Sequence, residues 1–336
     1  MAARLRERFP GRMIEYGFLE YSSPNIHMAL DRLISNGVRH VCALPGMLFR
    51  ATHAQNDIPS VLTTYRDRHP GLEIRYGVEL GLHCEMIAAF ETRILEALGL
   101  ESRPEPGTLY DTMLVVVGRG TSVATANAEA AKLTRIVAEN LGFGWCETVY
   151  SGVTFPSVGR GLEMATRLGF SRIVVAPYFL FSGRLVGRIN AYVEKAANTY
   201  PHIQFIMADY LRDQGHVINA FVARIEEVLS GTGQDSGLLE DFQTRLAAGE
   251  VTAHHHHAEY RPDHQPDHRT AQAHPHDHHH APYRHIAHPH GPRTMIDENV
   301  CCCFMGQFPQ SVIDEERRLR ARSAGLPGDD HQPQCK

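Results

Sequence analysis

A histidine and a carboxylate stand together where a buried strand is expected to end. His53 follows the apolar stretch 44–49, and Asp57 comes four residues after it. Near neutral pH an imidazole nitrogen can bind a divalent metal ion or accept a proton, and a carboxylate four residues on can orient the ring. The alternative interpretation of His53 is an ordinary exposed loop histidine. The pattern predicts a metal or proton-transfer site.

Two further side chains are candidates for the same chemistry. Glu20 comes directly after the apolar Phe18 and Leu19, so that its carboxylate would lie at a strand end and could bind metal or take protons from a substrate nitrogen. A solvated strand-end glutamate is the alternative. His83 is a weaker third candidate for a metal ligand, because a surface histidine at a helix start explains it equally well.

Arginines at loop positions predict an anionic substrate. The turn 118–121, Gly-Arg-Gly-Thr, follows a strand and lets backbone N–H groups converge at a helix start, but it lacks the full dinucleotide fingerprint. Arginine side chains can pair with carboxylates through two parallel hydrogen bonds, although most arginines in loops are merely solvated. The candidates for substrate binding are Arg50, Arg119, Arg184 and Arg188.

The C-terminal part is rich in metal-binding side chains. Fourteen of the 22 histidines lie between His254 and His290, and clustered imidazoles bind cobalt, nickel and zinc with little geometric selection. Three consecutive cysteines follow, two of which could join another ligand at a metal or iron–sulfur site, the alternative being an oxidisable thiol patch. The residues singled out are His254, His255, His256, His257, His278, His279, His280, Cys301, Cys302 and Cys303.

Composition excludes several classes of protein. The net charge is -5, and arginine and lysine are scattered, which argues against a nucleic-acid partner. The chain contains neither a run of 18 apolar residues nor a signal-peptide pattern, so we expect no membrane partner and a cytoplasmic location. The isolated and the consecutive cysteines do not form a disulfide framework, which fits a reducing compartment. A homodimer is compatible with these features.

An internal repeat organises the first two thirds of the chain. A shift of 132 residues brings Leu30 onto Leu162 and Pro45 onto Pro177, and a shift of 131 places Leu80 on Leu211. Within each copy, buried-strand runs alternate with segments of helical spacing, which predicts a mostly parallel sheet covered on both faces. Two such lobes facing each other would form a cleft for a ligand.

The predicted architecture is therefore α/β, with two tandem doubly wound parallel-sheet lobes and a disordered His-rich tail. We place the first lobe at residues 1–104 and the second at 105–232. A His-rich metal-binding segment spans 233–296, where few large apolar residues are available for a core, and a Cys-containing segment spans 297–336.

The repeat predicts a strand that the first copy lacks. The second copy begins with a strand at 112–117, a glycine turn and a helix, whereas the counterparts of the strand and of most of that helix would precede Met1. An absent interior strand would leave backbone groups unpaired. The spacing of the repeat suggests that roughly 20 to 25 residues are missing.

Three stretches of sequence resemble a known family. They are residues 16–24, Tyr-Gly-Phe-Leu-Glu-Tyr-Ser-Ser-Pro; residues 45–49, Pro-Gly-Met-Leu-Phe, with His53 and 56–59, Asn-Asp-Ile-Pro; and residues 150–156, Tyr-Ser-Gly-Val-Thr-Phe-Pro. In these stretches the chain resembles the sirohydrochlorin cobaltochelatases of the CbiX type, the class II tetrapyrrole chelatases, over about residues 1–230. The tandem halves and the His-rich extension are similar to the long form of that family.

The resemblance implies a chelatase-like fold and insertion of Co²⁺ into sirohydrochlorin, in cobalamin biosynthesis, without ATP. It further implies two active-site histidines and a glutamate in the first half and a second half that has lost them. His53 matches one histidine and Glu20 the glutamate. The other histidine belongs to a turn after the first strand, at the position equivalent to Arg119, and this sequence has no residue there.

Other functions compatible with the sequence are insertion of nickel or iron by the same fold and non-catalytic metal storage or delivery. A two-lobed periplasmic binding protein would also account for the repeat, but no export signal is present. The sequence therefore leaves the metal open and favours the chelatase.

Overall fold

The structure is a computed structural model, and it describes residues 1–19, 22–152, 154–231 and 237–251. The described chain forms two compact units. One unit contains Met1–Gly81 together with the chain from Ile218 onward, and the other contains Leu82–Val217. Among the described residues, no helix is both long and apolar enough to cross a membrane.

The second unit is built on a four-stranded parallel sheet. Its strands are β3 (Thr112–Gly118), β4 (Trp145–Tyr150), β5 (Arg172–Pro177) and β6 (Gln204–Met207), in the order β4-β3-β5-β6. The central strand β3 reads Thr-Met-Leu-Val-Val-Val-Gly, and all of its residues are buried, as expected for an interior strand of a parallel sheet that is covered on both faces. This sheet confirms the strand–helix alternation predicted from the sequence.

Helices cover this sheet. They are α4 (Cys84–Leu98), α5 (Ala124–Leu141), α6 (Val158–Thr166) and α7 (Arg184–Thr199). Helix α4 packs against α5, β5 and β6. Helices α6 and α7 pack against each other, with α6 on β3 and β4 and α7 on β5 and β6. The core on the α6 and α7 side combines β-branched residues of the strands, such as Val115 and Val175, with Leu162 and Ile189 from the helices.

The first unit has a smaller parallel sheet made of β1 (His40–Ala43) and β2 (Glu73–Tyr76). Its helices are α1 (Ala2–Arg8), α2 (Ile26–Ser35), α3 (Ile58–Arg68), α8 (Gly215–Ser230) and α9 (Leu238–Ala247), and a π-helical turn (His53–Asp57) runs directly into α3. Val41 and Ile74 from the strands pack with Val61 and Leu62 of α3. The described residues of this unit contain no counterpart of β3.

The repeat predicted from the sequence is visible in the backbone. Phe18 forms a parallel bridge with Asn25, and Tyr150, 132 residues on, forms the same bridge with Ser157. Asn25 and Ser157 each cap the following helix, α2 or α6, by accepting a hydrogen bond from the backbone N–H three residues later. Both halves therefore enter their second helix in the same way, which supports the tandem organisation.

Helix α9 differs from the sequence expectation. Residues 238–247 fall in the segment that we expected to be disordered, yet they form a helix. Leu238, Leu239 and Phe242 lie on one face of it and are buried, so that this stretch has enough apolar surface to dock although the sequence after it has little. The boundaries at 104/105, 232/233 and 296/297 stay a prediction.

Candidate metal site

The residue His53 lies in a widened helical turn rather than in a loop. The Ile58 N–H donates to the His53 carbonyl five residues back, which is the π-helical spacing. Pro59 has no N–H, so that it can donate neither to the Ala54 carbonyl, in the π-helical spacing, nor to the Gln55 carbonyl, in the α-helical spacing. The sequence Gln-Asn-Asp-Ile-Pro thus produces a local irregularity of the kind that is frequent at functional sites.

Two backbone carbonyl groups of the widened turn accept hydrogen bonds from side chains elsewhere in the first unit. The hydroxyl of Tyr76, at the end of β2, donates to the Ala54 carbonyl at 3.0 Å. The Nη2 of Arg245, in α9, donates to the Gln55 carbonyl at 3.1 Å. Burial, and then the neighbouring Glu79 carboxylate, raise the pKa of Tyr76, so that its hydroxyl keeps the proton that it donates.

His53 and Asp57 form a close pair. His53 Nδ1 and Asp57 Oδ2 are 2.5 Å apart, and the exposed fractions of the two side chains are 17% and 3%. With Asp57 ionised, Nδ1–H donates to the carboxylate, which fixes the tautomer and places the lone pair of the ring on Nε2. The pairing of Asp57 with His53 expected from the sequence is therefore present in the structure.

The second oxygen of Asp57 is unusual. Oδ1 is buried and has no hydrogen-bond partner among the described residues. A buried carboxylate with one unsatisfied oxygen is costly, and it depends strongly on the hydrogen bond that it does accept. Removing the imidazole by His53→Ala would leave this carboxylate without that bond, so that a variant that preserves the donor is the better probe of His53.

Arg50, predicted to bind substrate, is paired within the protein. Its Nε donates to Glu79 Oε2 at 3.1 Å, and both side chains are partly buried. Glu79 was missed by the sequence analysis, although its position three residues after the end of β2 is a signal that could have revealed it. Since both charges influence the pKa of Tyr76, as does Asp57, the ion pair lies beside the histidine turn.

The other predicted arginines lie in the second unit. Arg119 follows β3, and Arg184 and Arg188 lie in the first turns of α7, which comes after β5. Arg119 and Arg184 are exposed. Partial burial, and then the nearby Arg184 cation, lower the pKa of Arg188. Because β3 and β5 are parallel neighbours, their carboxyl ends bring this positive charge to one edge of the sheet.

His83 has a structural role in the second unit. It is the N-cap residue of α4, and its Nδ1 accepts a hydrogen bond from the backbone N–H of Glu85 at 3.2 Å. This use of Nδ1 agrees with the interpretation of His83 as a helix-start residue, and its proposed role as a metal ligand stays a prediction.

Other predicted ligands fall outside the described residues. They are Glu20, the histidines 254–257 and 278–280 and the cysteines 301–303. Within the part of the chain that the structure describes, no three His, Cys, Asp or Glu side chains are grouped so as to hold a metal ion by themselves. His53 with Asp57 would therefore need a further donor to hold a metal ion, and its role as a metal ligand stays a prediction.

Comparisons with known proteins agree with the repeat. The CbiX family model matches residues 1–97 and 113–228. The chain is 32% identical over 244 residues to a sirohydrochlorin cobaltochelatase of Priestia megaterium, covering 72% of this chain and 78% of that protein. It is 27% identical over 219 residues to a sirohydrochlorin ferrochelatase of the same organism, covering 65% and 79%.

A solved structure has the same fold. The SirB protein from Bacillus subtilis with Fe3+ superposes with a TM-score of 0.59 and 24% identity, covering 70% of this chain and 89% of that one. At this identity the likeness concerns the fold alone. It agrees with the α/β architecture of tandem chelatase-like lobes predicted from the sequence.

Proposed function

This chain belongs to the CbiX family, and we propose that it is an enzyme that inserts a divalent metal ion into sirohydrochlorin. The observation that carries the proposal is the His53–Asp57 pair, in which a buried carboxylate holds the imidazole in the tautomer suited to bind metal. The names of the relatives, one a cobaltochelatase and one a ferrochelatase, support this reaction class.

We propose the following use of the residues. His53 Nε2 binds the metal ion as it arrives, and Glu20 contributes a second oxygen donor or accepts a proton. The macrocycle gives up two pyrrole N–H protons while its four nitrogens form bonds to the metal, so that one dication replaces two protons. The bond from the metal to His53 breaks as the ring takes over, and no ATP is needed because chelation itself is favourable.

An acidic substrate would suit the three arginines that follow β3 and β5 in the second unit. Sirohydrochlorin is a polycarboxylate, and we propose that Arg119, Arg184 and Arg188 pair with its carboxylates. The partly buried Arg188, beside Arg184, lacks part of its hydration and would gain from an anionic partner. Arg50 is held by Glu79 through Nε, and its two Nη groups could bind a carboxylate of the substrate while that ion pair stays in place.

We propose Co²⁺ as the physiological metal, with nickel or iron as the competing assignment. The cobaltochelatase relative shares more identity with this chain than the ferrochelatase relative does. An imidazole and a carboxylate accept any of these ions, whose intrinsic affinities follow the Irving–Williams order. The cytoplasmic location and a homodimer stay predictions, as does a bound metal or iron–sulfur cluster at residues 301–303.

Metal storage is the second candidate function. The fourteen histidines between residues 254 and 290 favour it, because they would bind ions without any tetrapyrrole. The two functions differ in one measurable respect, since only a chelatase accelerates the formation of the metallated macrocycle.

The deciding experiment follows the absorbance of sirohydrochlorin with Co²⁺ under anaerobic conditions, with the whole chain and with His53→Asn. Asparagine places an N–H close to the position of Nδ1, so that it can still donate to Asp57, but it has no counterpart of Nε2. We expect the rate of insertion to fall by about a hundredfold, the upper range for loss of a metal-site interaction.

His40→Asn is the matched control. His40 also pairs with a carboxylate, Glu73, at 3.0 Å, but its side chain is 77% exposed and it lies at the start of β1 rather than in the turn. This variant should insert the metal ion at the same rate as the unaltered chain. A rate for His53→Asn equal to that of His40→Asn would contradict the assignment of His53, and tight metal uptake without insertion would favour storage.

A further inference from the structure

We propose that Arg245 is a positioning residue for His53, acting from helix α9 across the π-helical turn. The inference rests on the proposed function, since it assigns to α9 the task of holding the metal-binding histidine. Helix α9 lies beyond residue 228, where the second match to the CbiX family model ends. It is thus an addition to the part of the chain that the family model recognises.

Each of the three guanidinium nitrogens of Arg245 donates a hydrogen bond. Nη1 donates to the Asn56 side-chain oxygen at 2.9 Å and Nη2 donates to the Gln55 carbonyl at 3.1 Å. Nε donates to Asp241 one turn earlier in α9 at 3.0 Å, which aims the planar group at the turn. Two successive residues between His53 and Asp57 are therefore fixed by one side chain from a distant part of the sequence.

The need for such a partner follows from the local sequence. In a regular helix the Gln55 carbonyl would accept from the N–H of residue 59, and that residue is proline. A backbone carbonyl in a half-buried turn without a partner is unfavourable, and the turn could relieve this by unwinding. Arg245 gives the Gln55 carbonyl a donor from outside the turn, where Pro59 has no N–H to offer, and so stabilises the irregular turn.

The rest of α9 is anchored in the core of the first unit. Phe242 is completely buried, and Leu238 and Leu239 pack in the cluster that contains Ile58 and Leu62 of α3. The helix contacts both α3 and the π-helical turn. The apolar face therefore docks α9 by itself, which leaves the guanidinium contacts to determine the shape of the turn and the direction of the His53 ring.

The test compares Arg245→Met with Arg135→Met in the full chain. Methionine keeps much of the apolar stem of arginine but has no donor. Arg135 also forms an i,i+4 ion pair, with Glu139, on the exposed face of α5, so that its variant removes an equivalent charge and ion pair within the second unit. Free Co²⁺ is set with a chelating buffer, because histidines elsewhere in the chain also bind the ion.

For Arg245→Met we expect the KM for Co²⁺ to rise roughly tenfold, with the KM for sirohydrochlorin unchanged, as for loss of a residue that orients a ligand. The Ile58 amide, which closes the turn, should exchange with solvent roughly tenfold faster. The ring ¹⁵N shifts of His53, assigned with His53→Asn, should move from a single Nδ1–H tautomer toward a mixture. Arg135→Met should leave all three unchanged.

The outcomes separate the positioning role from the proposed function. If the unaltered chain inserts no metal, the amide exchange and the ¹⁵N shifts still decide the role of Arg245, since neither needs substrate. Faster exchange without any change in the ring shifts or in the KM for Co²⁺ would mean a purely structural contact and would overturn the inference.

If Arg245→Met does not fold, a second variant, Asn56→Ala, tests the same proposal. Asn56→Ala removes only the acceptor of Nη1 and leaves α9 unaltered. It should change the same three quantities in the same direction by a smaller factor, whereas unaltered quantities in Asn56→Ala would refute the proposal. Arg245→Lys, which can reach only one acceptor at a time, should be intermediate.

Discussion

Asp57 Oδ2 lies 2.5 Å from His53 Nδ1, while its second oxygen is buried without a hydrogen-bond partner among the described residues. The carboxylate is therefore poorly satisfied by the protein and is directed almost wholly at the imidazole. Such an arrangement costs folding free energy, while the hydrogen bond orients the imidazole of His53. A group that destabilises the fold while orienting one histidine is expected at a functional site rather than in a structural core.

Asp57→Asn should separate the effect of the carboxylate on His53 from its cost in folding free energy. The amide oxygen can still accept from Nδ1–H, but the charge that makes Nε2 a better ligand is gone, so we expect the kcat/KM for Co²⁺ to fall by about tenfold. Because a buried charge is removed, the melting temperature should not fall. Insertion kinetics with buffered Co²⁺ and thermal unfolding measure the two quantities, and unchanged kinetics would contradict the role of Asp57.

Tyr76→Phe should loosen the π-helical turn from its other side. The hydroxyl that bonds the Ala54 carbonyl is lost and that buried carbonyl is left without this donor, at a cost of about 1 to 3 kcal/mol in unfolding free energy. The Ile58 amide should exchange faster. Tyr65→Phe is the control, because it loses buried hydroxyl contacts to Asp31 and the His27 carbonyl in the same unit. It should lower stability without changing the exchange of Ile58 relative to the rest of α3.

The buried tyrosines predict a loss of stability at alkaline pH. Burial raises the pKa of Tyr76 and of Tyr65 above the ordinary value of 10.0, so that above pH 10 the unfolded chain loses protons that the folded chain keeps. The unfolding free energy is then fully maintained below pH 10 and falls as the pH rises, by about 1.4 kcal/mol per pH unit for each such tyrosine. Denaturant titrations between pH 9 and 11 measure the slope.

Two variants test whether Tyr76 contributes to the fall of the unfolding free energy with pH. Tyr76→Phe should reduce this fall by the contribution of one proton, whereas Phe49→Leu changes an aromatic side chain of the same unit without removing a titrating group. If the unfolding free energy of Tyr76→Phe fell as steeply with pH as that of the unaltered chain, Tyr76 would ionise as easily in the folded state as in the unfolded one.

Arg184→Gln with Arg188→Gln should weaken binding of the acidic macrocycle. A hydrogen bond to a charged group contributes about 1.5 to 3 kcal/mol, so we expect the KM for sirohydrochlorin to rise at least tenfold while the KM for Co²⁺ is unchanged. The remaining affinity should depend less on salt. The control is Arg167→Gln, an exposed arginine at the end of α6 that pairs with Glu163. Similar KM values for the double variant and the control would exclude these arginines from substrate binding.

Much of the architecture was accessible from local sequence patterns. The apolar runs that form β3 and β5, the helical spacing of α5 and the repeat that relates Asn25 to Ser157 all depend on neighbours within a few residues or on direct self-comparison. The same is true of His53 and Asp57, since a separation of four residues places both side chains on one face of a helix whatever surrounds it.

Helix α9 could not be predicted from local sequence patterns. Three apolar residues between a glycine-rich stretch and the His-rich segment do not reveal a docked helix, because their burial depends on a groove formed by α3 and the π-helical turn. Composition averaged over 233–296 therefore hid a structured element, and intrinsic helix propensity alone could not have revealed it.

The sequence by itself determined the tandem α/β organisation, the family and the candidate pair His53 and Asp57, because each depends on periodicity, self-similarity or short spacing. Only the tertiary structure decided the partners of that pair's helical turn. Tyr76 is 22 residues from Ala54 and Arg245 is 190 residues from Gln55. Hydrogen bonds between residues so far apart in sequence form only when the packing of the folded chain brings donor and acceptor together, because a buried carbonyl needs a partner from within the protein.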